Sequence, residues 1–426
     1  MIKVVIIGGG LAGLTAGVYL SKNNYSVSIL EASPKLGGRA YSFYYEELKI
    51  EIDNGQHILL GCYYDTLDLL KEIGSLDKVK KQNKLNIPFV NPDRSITRLE
   101  TPNFIYPFDN AIAFLRFKLF SSKDKIKIFT LILKLRFLKE PDNIPAYQWL
   151  KENGQSDELI NIFWKVLIEG ALNTSITTAS AKSLFNILKI IFFSGKDSVN
   201  IITPSLPLSK LFSDPASNFI SRNNGCIYLS EKVEEIKIED NEIKFVKTNK
   251  RILEDIDYVI SAVPYFSAKK ILSKVIPDIG VNYASIVSIQ VLLKENNLKE
   301  GFYSFVDSPV QWVFNNKTHL SIVISNAEEF VNLEAERLKE IIYIELKKYL
   351  NIDNIIQYQI IKEKRATFVP SVELYGKRPE TKTSIKNLFL AGDWIETHLP
   401  STIEGAVKSG KMAASEIMNI YSRNSI

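Results

Sequence analysis

One stretch constrains this chain more than any other: residues 3–20, Lys-Val-Val-Ile-Ile-Gly-Gly-Gly-Leu-Ala-Gly-Leu-Thr-Ala-Gly-Val-Tyr-Leu. Residues 4–7 form a wholly apolar, β-branched run, the pattern of a strand buried on both faces. Gly8, Gly10 and Gly13 then give G-x-G-x-x-G. Gly8 allows a tight turn, Gly10 lets a pyrophosphate approach the backbone, and Gly13 lets a helix pack close to the strand. The helix that follows, from Leu11 and Ala12 onward, aims its unpaired N–H groups and partial positive charge at that phosphate. A second apolar strand, residues 27–30, ends in Glu31, about twenty residues on, where a carboxylate grips adenosine ribose hydroxyls. Strand, helix and acid all stand at the right distances, so the pattern predicts a dinucleotide site rather than an ordinary glycine turn.

Residues 31–42, Glu-Ala-Ser-Pro-Lys-Leu-Gly-Gly-Arg-Ala-Tyr-Ser, decide which dinucleotide. They resemble the extension after the ribose acid in FAD proteins of the amine oxidase and phytoene desaturase superfamily, where the Gly-Gly-Arg stretch runs along the pyrophosphate. Gly37 and Gly38 permit close backbone approach, and Arg39 offers a guanidinium fork to phosphate oxygens. The resemblance favours FAD over NAD.

A chain of 426 residues, 46% apolar and 24% charged, is that of a globular protein and most simply divides into two domains. Cys62 and Cys226 supply neither a disulfide framework nor a metal spacing, and three histidines cannot make a histidine-rich metal site. No metal is expected, and the cysteine usage suits the reducing cytosol. No uncharged apolar run reaches spanning length, and no secretory signal is apparent. The net charge of +5 hides an asymmetry: residues 112–139 hold eight Lys or Arg and one acid, Asp124. That is a local charge of +7, leaving about −2 for the remainder. Nucleic-acid binding would need a spread basic face and a recognisable motif, and neither is present.

Along the chain, residues 41–52 read as a hairpin leading to Asp53-Asn-Gly-Gln-His57, with a turn at Asn54-Gly55. From residue 84 to 212 glycine is scarce and Phe, Ile, Leu and Lys dominate, which reads as a mainly helical insertion. Within 112–139, Ile126, Phe129, Leu133 and Phe137 share one helical stripe flanked by bases. Lysine stems can lie over apolar surface while the ammonium stays at an interface. This helix is therefore read as a monotopic membrane contact, against the alternative of a core helix with a solvated basic face. The expected location is cytoplasmic, on the inner face of the membrane. Residues 225–236 resemble the strand that carries backbone groups to the adenine in these flavoproteins, near Val233, or else form an ordinary meander. Strand candidates follow at 286–293, 302–306, 311–314 and 320–325, with a charged helix over 328–350.

The last informative segment, residues 387–410, runs from a buried strand into Ala391-Gly-Asp393, a loop, and a helix near Thr402. It resembles the second flavin motif of the superfamily, in which Gly392 and Asp393 approach the ribityl chain or pyrophosphate. The helix start, Thr402, Ile403 and Ala406, would then face the flavin pyrimidine edge and favour reduced, anionic flavin. Residues 53–63 and 391–406 together are similar to the squalene-associated branch, the hydroxysqualene dehydroxylases, although His398 departs from the small residue expected before Leu-Pro.

The resemblance implies an α/β Rossmann-type FAD-binding domain formed by 1–83, 213–264 and 381–426. A discontinuous, amine oxidase-like substrate domain of antiparallel sheet and helices would take 84–212 and 265–380. It implies a hydrophobic isoprenoid substrate and reductive dehydroxylation in squalene and hopanoid biosynthesis. No second G-x-G-x-x-G marks an NADPH domain, so the electron donor is unidentified. His57 is the first candidate for acid or leaving-group orienter, accompanied by Asp53 and His398. The alternatives are a carotenoid-type desaturase, an amine oxidase (disfavoured by Thr402 where an aromatic cage residue would stand), and a non-catalytic prenyl-binding escort protein.

Overall fold

The computed structural model of the chain describes residues 1–47 and 49–424. A five-stranded parallel sheet lies at its centre, in the order Cys226–Tyr228, Ser26–Leu30, Lys3–Ile7, Tyr258–Ser261, Leu388–Leu390. Side chains alternate across a strand, and here the alternation sorts two cores. Val4 and Ile6 join a helical layer made by Leu11–Lys22, Asp214–Arg222 and Ile403–Asn424. Val5 and Ile7 join the opposite layer, which includes the antiparallel strands Val233–Glu239 and Glu242–Thr248. Both faces being covered explains why the first strand carries no polar residue after Lys3.

A seven-stranded sheet forms the second region, in the order Ile355–Phe368, Tyr283–Leu293, Leu320–Ile324, Trp312–Asn315, Phe302–Phe305, Asn86–Val90, Ile96–Glu100. All its pairs are antiparallel except Phe302–Phe305 against Asn86–Val90. Val287, Ile289 and Val291 pack under the helix Ala335–Leu350 through Leu338, Ile342 and Leu346. Phe302, Phe314 and Val323 face the other way, into a helical core that runs from Phe108–Arg116 to Ala181–Phe193.

The insertion opens on the hairpin strands Asn86–Val90 and Ile96–Glu100, whose Phe89 and Leu99 are buried in the helical core. The strand Ile355–Phe368, charged at 362–365, escaped the sequence reading because only its pairing with Tyr283–Leu293 defines it. Among the described residues no helix is long and apolar enough to cross a membrane, and no cluster of His, Cys, Asp or Glu could hold a metal.

The two ends of the chain meet in the helical layer, where Leu11–Lys22 crosses Ile403–Asn424. A Cβ on Gly410 would stand 2.1 Å from the carbonyl oxygen of Ala12, so these helices touch backbone to backbone. Gly410→Ala must force them apart and is expected to lower stability by about 1–3 kcal/mol in urea unfolding. Gly301→Ala, where nothing lies within 4 Å, should leave the midpoint unchanged. Equal midpoints for the two variants would contradict the close crossing.

Candidate active site

The site is built where the two glycine-rich ends converge. Gly8 has φ +108°, and a Cβ there would lie 2.9 Å from the carbonyl oxygen of Ala262. A Cβ on Gly13 would lie 2.0 Å from that of Gly8, so strand and helix are in direct backbone contact. Gly10 is different: an added Cβ would meet only the Cα of Gly38, at 3.8 Å. Gly37 N–H donates to the Gly9 carbonyl at 2.9 Å, which pins the second glycine loop beside the first. The helix Leu11–Lys22 has no side-chain cap and no acid in its first turn, so its N-terminal donors stay free for an anion.

Glu31 ends its strand and accepts Gly9 N–H at 2.6 Å and Ser33 N–H at 2.7 Å, one on each carboxylate oxygen. Each oxygen keeps a lone pair for a ribose hydroxyl. Ser230 N–H donates to the Ser33 carbonyl and Glu231 N–H to that of Glu31. These bonds lace the 228–233 segment to the ribose acid, and Val233 then opens the antiparallel ladder opposite Thr248.

Arg39 Nη2 donates to Asp393 Oδ1 at 2.6 Å and Nη1 to the Ala366 carbonyl at 2.9 Å, which ties the second glycine loop to the Ala391–Asp393 motif and leaves further N–H donors on the fork. Asp393 Oδ2 accepts the Ser401 hydroxyl. Burial opposes charge on Asp393, but the Arg39 charge and these hydrogen bonds outweigh it and hold the carboxyl below its ordinary value. Gly392, at φ +131°, sits against the Trp394 indole, and its N–H donates to Ser409 of the C-terminal helix at 2.8 Å. Thr402 caps that helix by accepting Gly405 N–H at 3.1 Å.

Glu404, which the sequence reading passed over, does as much as any named residue. It is buried and accepts Asp65 N–H at 3.0 Å, Thr66 N–H at 2.9 Å and the Thr66 hydroxyl at 2.6 Å. It thereby caps the helix Tyr64–Glu72 and ties the point where the 53–63 stretch enters that helix to the second flavin motif. The signal available was an acid in the first helical turn after residue 402 that no local group needed.

Asp53 and His57 lie on the 53–63 stretch. Asp53 Oδ1 accepts the Ser42 hydroxyl at 2.6 Å and Leu208 N–H at 2.9 Å; burial raises its pKa. His57 Nδ1 lies 2.8 Å from the Gly55 carbonyl, an obligate acceptor, so Nδ1 carries the proton and Nε2 is a free acceptor. Burial pushes the His57 pKa below its ordinary value, against the opposing charge of Asp53. With Nδ1 committed to Gly55, Nε2 is the atom that can accept a substrate O–H, the orienting role of the two read for this residue from sequence. His398 is a correction. Its side chain is 77% exposed, at a left-handed turn (φ +59°), with only Glu396 beside Nδ1 at 3.4 Å. Arg365, given no role from sequence, lays its guanidinium 4.5 Å over the Phe266 ring.

Arg39, His57 and Tyr63 each keep some accessible surface. The glycine cradle, the uncapped helix end and the free lone pairs of Glu31 together fit FAD. Fold and site define a flavin-dependent oxidoreductase built on a Rossmann sheet. The sequence profile of the flavin containing amine oxidoreductases matches residues 11–418, and the chain belongs to that family. A hydroxysqualene dehydroxylase from Zymomonas mobilis is 29% identical over 96% of this chain and 97% of that protein. A chloroplastic/chromoplastic 15-cis-phytoene desaturase from an Oncidium hybrid cultivar is 24% identical over 99% of this chain and 78% of its own. The solved structure of an oxidoreductase from Methanosarcina mazei superposes with a TM-score of 0.76 at 19% identity, covering 98% of this chain and 100% of that one.

Two outcomes follow from the geometry. Gly10→Val should fold normally yet purify without FAD, because its side chain fills open cradle and no protein atom; full flavin occupancy would refute the site. At pH 6, ¹⁵N NMR should find His57 neutral with its proton on Nδ1. Its depressed pKa means that the unfolded chain binds the extra proton first, so this group weakens the fold as pH drops below about 6.5. A doubly protonated ring at pH 6 would sink the assignment.

Proposed function

We propose that the chain is a hydroxysqualene dehydroxylase-type enzyme, replacing the hydroxyl of a long-chain isoprenoid alcohol by hydrogen. The observation that carries this reading is the full-length similarity to a protein of that name, 29% identity over 96% of the chain. The bonds of Glu404 to Asp65 and Thr66 support it, because they join the helix that directly follows residues 53–63 to residues 391–406, and these two stretches bear the dehydroxylase resemblance. Thr402 supports it further: its hydroxyl is committed to the helix cap, and no aromatic stands there to cage an amine.

In balance, the alcohol takes one proton and one hydride and leaves as hydrocarbon and water. When bound, reduced FAD supplies the hydride. In hydroxysqualene the C–OH bond adjoins a double bond, so its loss gives an allylic cation that hydride quenches. His57 Nε2 accepts the substrate O–H and aims the departing oxygen. Asp53, the member of the pair that burial drives toward its protonated form, holds the proton that converts hydroxide to water. Glu31, the glycine loops and the N-terminus at Leu11 hold the dinucleotide, and the Arg39–Asp393 pair fixes the loop before Ser401.

Anaerobically reduced enzyme mixed with hydroxysqualene should yield one squalene per flavin as the flavin reoxidises. His57→Ala should lower that rate by roughly 10²-fold while retaining FAD. Bleaching of oxidised enzyme by phytoene, with no response to hydroxysqualene, would instead place the chain with the desaturases, the reading that the Oncidium relative favours.

A further inference from the structure

We propose that the helical hairpin 104–139 docks on the surface of an anionic lipid bilayer. Helices Phe108–Arg116 and Ser122–Leu135 pack together through the short connection 117–121, which makes them antiparallel neighbours. Ile128, Leu131, Ile132 and Leu135 of the second helix fill the core. That is not the stripe singled out from sequence. Ile126, Phe129, Leu133 and Phe137 form the other apolar face; Phe129 and Leu133 are half-buried, and Ile126 and Phe137 are 63% and 83% exposed.

The fold adds what the sequence pattern did not show. Because the two helices pack together as antiparallel neighbours, the start of the first adjoins the end of the second. Phe104, Ile105 and Phe108 are therefore gathered with Phe137 at one end of the hairpin, and Ile105 is 73% exposed. Phe104 and Ile105 also wall a groove of about 490 Å³ that Asp109, Lys196 and Asn200 complete.

The exposed charge of the hairpin itself is basic, although Asp109 and Asp197 line the groove beside it. Arg116, Lys118, Lys123, Lys134, Arg136 and Lys139 are exposed, and among the described residues none is in an ion pair. Asp124, the only acid of 112–139, is buried and spent: its oxygens accept the Ser121 and Ser156 hydroxyls at 2.6 Å each. Large aromatic and aliphatic side chains exposed among unpaired bases match a surface with anionic headgroups over an apolar interior. An acidic protein partner would satisfy the charges and leave Ile105 and Phe137 without an apolar phase.

The test is co-sedimentation of the purified flavoprotein with phosphatidylcholine vesicles, with and without one-quarter phosphatidylglycerol. The parent should bind the anionic vesicles, weaken as salt rises, and ignore the neutral ones. Lys123→Glu with Lys134→Glu and Arg136→Glu should reduce partitioning at least ~tenfold. Phe104→Ser with Ile105→Ser and Phe137→Ser, which leaves every charge in place, should do the same. Retained FAD and an unchanged circular dichroism spectrum verify the fold of each variant. Lys339→Glu with Lys347→Glu, on the helix Ala335–Leu350, should bind like the parent. A parent that stays in the supernatant at low salt overturns the proposal. So does an apolar variant that binds as tightly as the parent, since the face would then be a site for acidic partners only.

Discussion

The structure depends on bringing residues 8–13 and residues 391–410 into contact across nearly the whole chain. Gly410 against the Ala12 carbonyl sets how near the two helices can come, and no side chain larger than hydrogen fits between them. Once they touch, two polar links across the chain become geometrically available. Arg39 donates to Asp393, and Glu404 accepts from the start of the helix Tyr64–Glu72. Buried charge is costly unless paired, so each link penalises any arrangement in which the ends drift apart. The Arg39–Asp393 pair also has a pH signature. A carboxyl whose folded pKa is depressed contributes stability above its unfolded value, and that contribution is lost as pH falls through the folded one.

What could be read in advance follows from the range of the forces involved. The cradle was legible because its requirements are local. Gly8 needs its positive φ, Gly13 must clear the carbonyl five residues before it, and the apolar run 4–7 must suit two cores at once. Partnership was not legible. Arg39 has two glycines before it, and nothing nearby in sequence names its carboxylate partner, which stands 354 positions away. Glu404 reads as one acid in a helical turn until the fold sets Thr66 against it. The strand Ile355–Phe368 hides for the same reason, since Lys362, Glu363, Lys364 and Arg365 make sense in a strand only when an apolar neighbour such as Tyr283–Leu293 is supplied.

Histidine shows how environment overrules residue type. His57, His319 and His398 are chemically alike, and a sequence cannot rank them. In the fold, His319 is buried between Asn316 and Thr318 with its pKa pushed down to about 4, a satisfied core histidine. His398 stands in solvent. Only His57 combines burial, a fixed tautomer and residual accessible surface, and burial lowers its pKa. The same desolvation raises the pKa of Asp53 and of Tyr63, so one environment shifts acids and bases in opposite directions.

The basic helix carries the same lesson to the surface. A period of 3.6 residues places Ile128, Leu131, Ile132 and Leu135 on one side and Ile126, Phe129, Leu133 and Phe137 on another, and composition alone cannot say which goes inside. In the fold Ile128, Leu131, Ile132 and Leu135 enter the core, and Asp124 is buried with the Ser121 and Ser156 hydroxyls on its oxygens. Ile126 and Phe137 are left facing out. Solvation alone would not preserve large apolar groups there, since a lysine or a glutamate would fill either position without loss to the core. Their exposure beside unpaired bases is therefore the feature of this face that packing leaves unexplained and that an apolar phase bearing negative charge would satisfy.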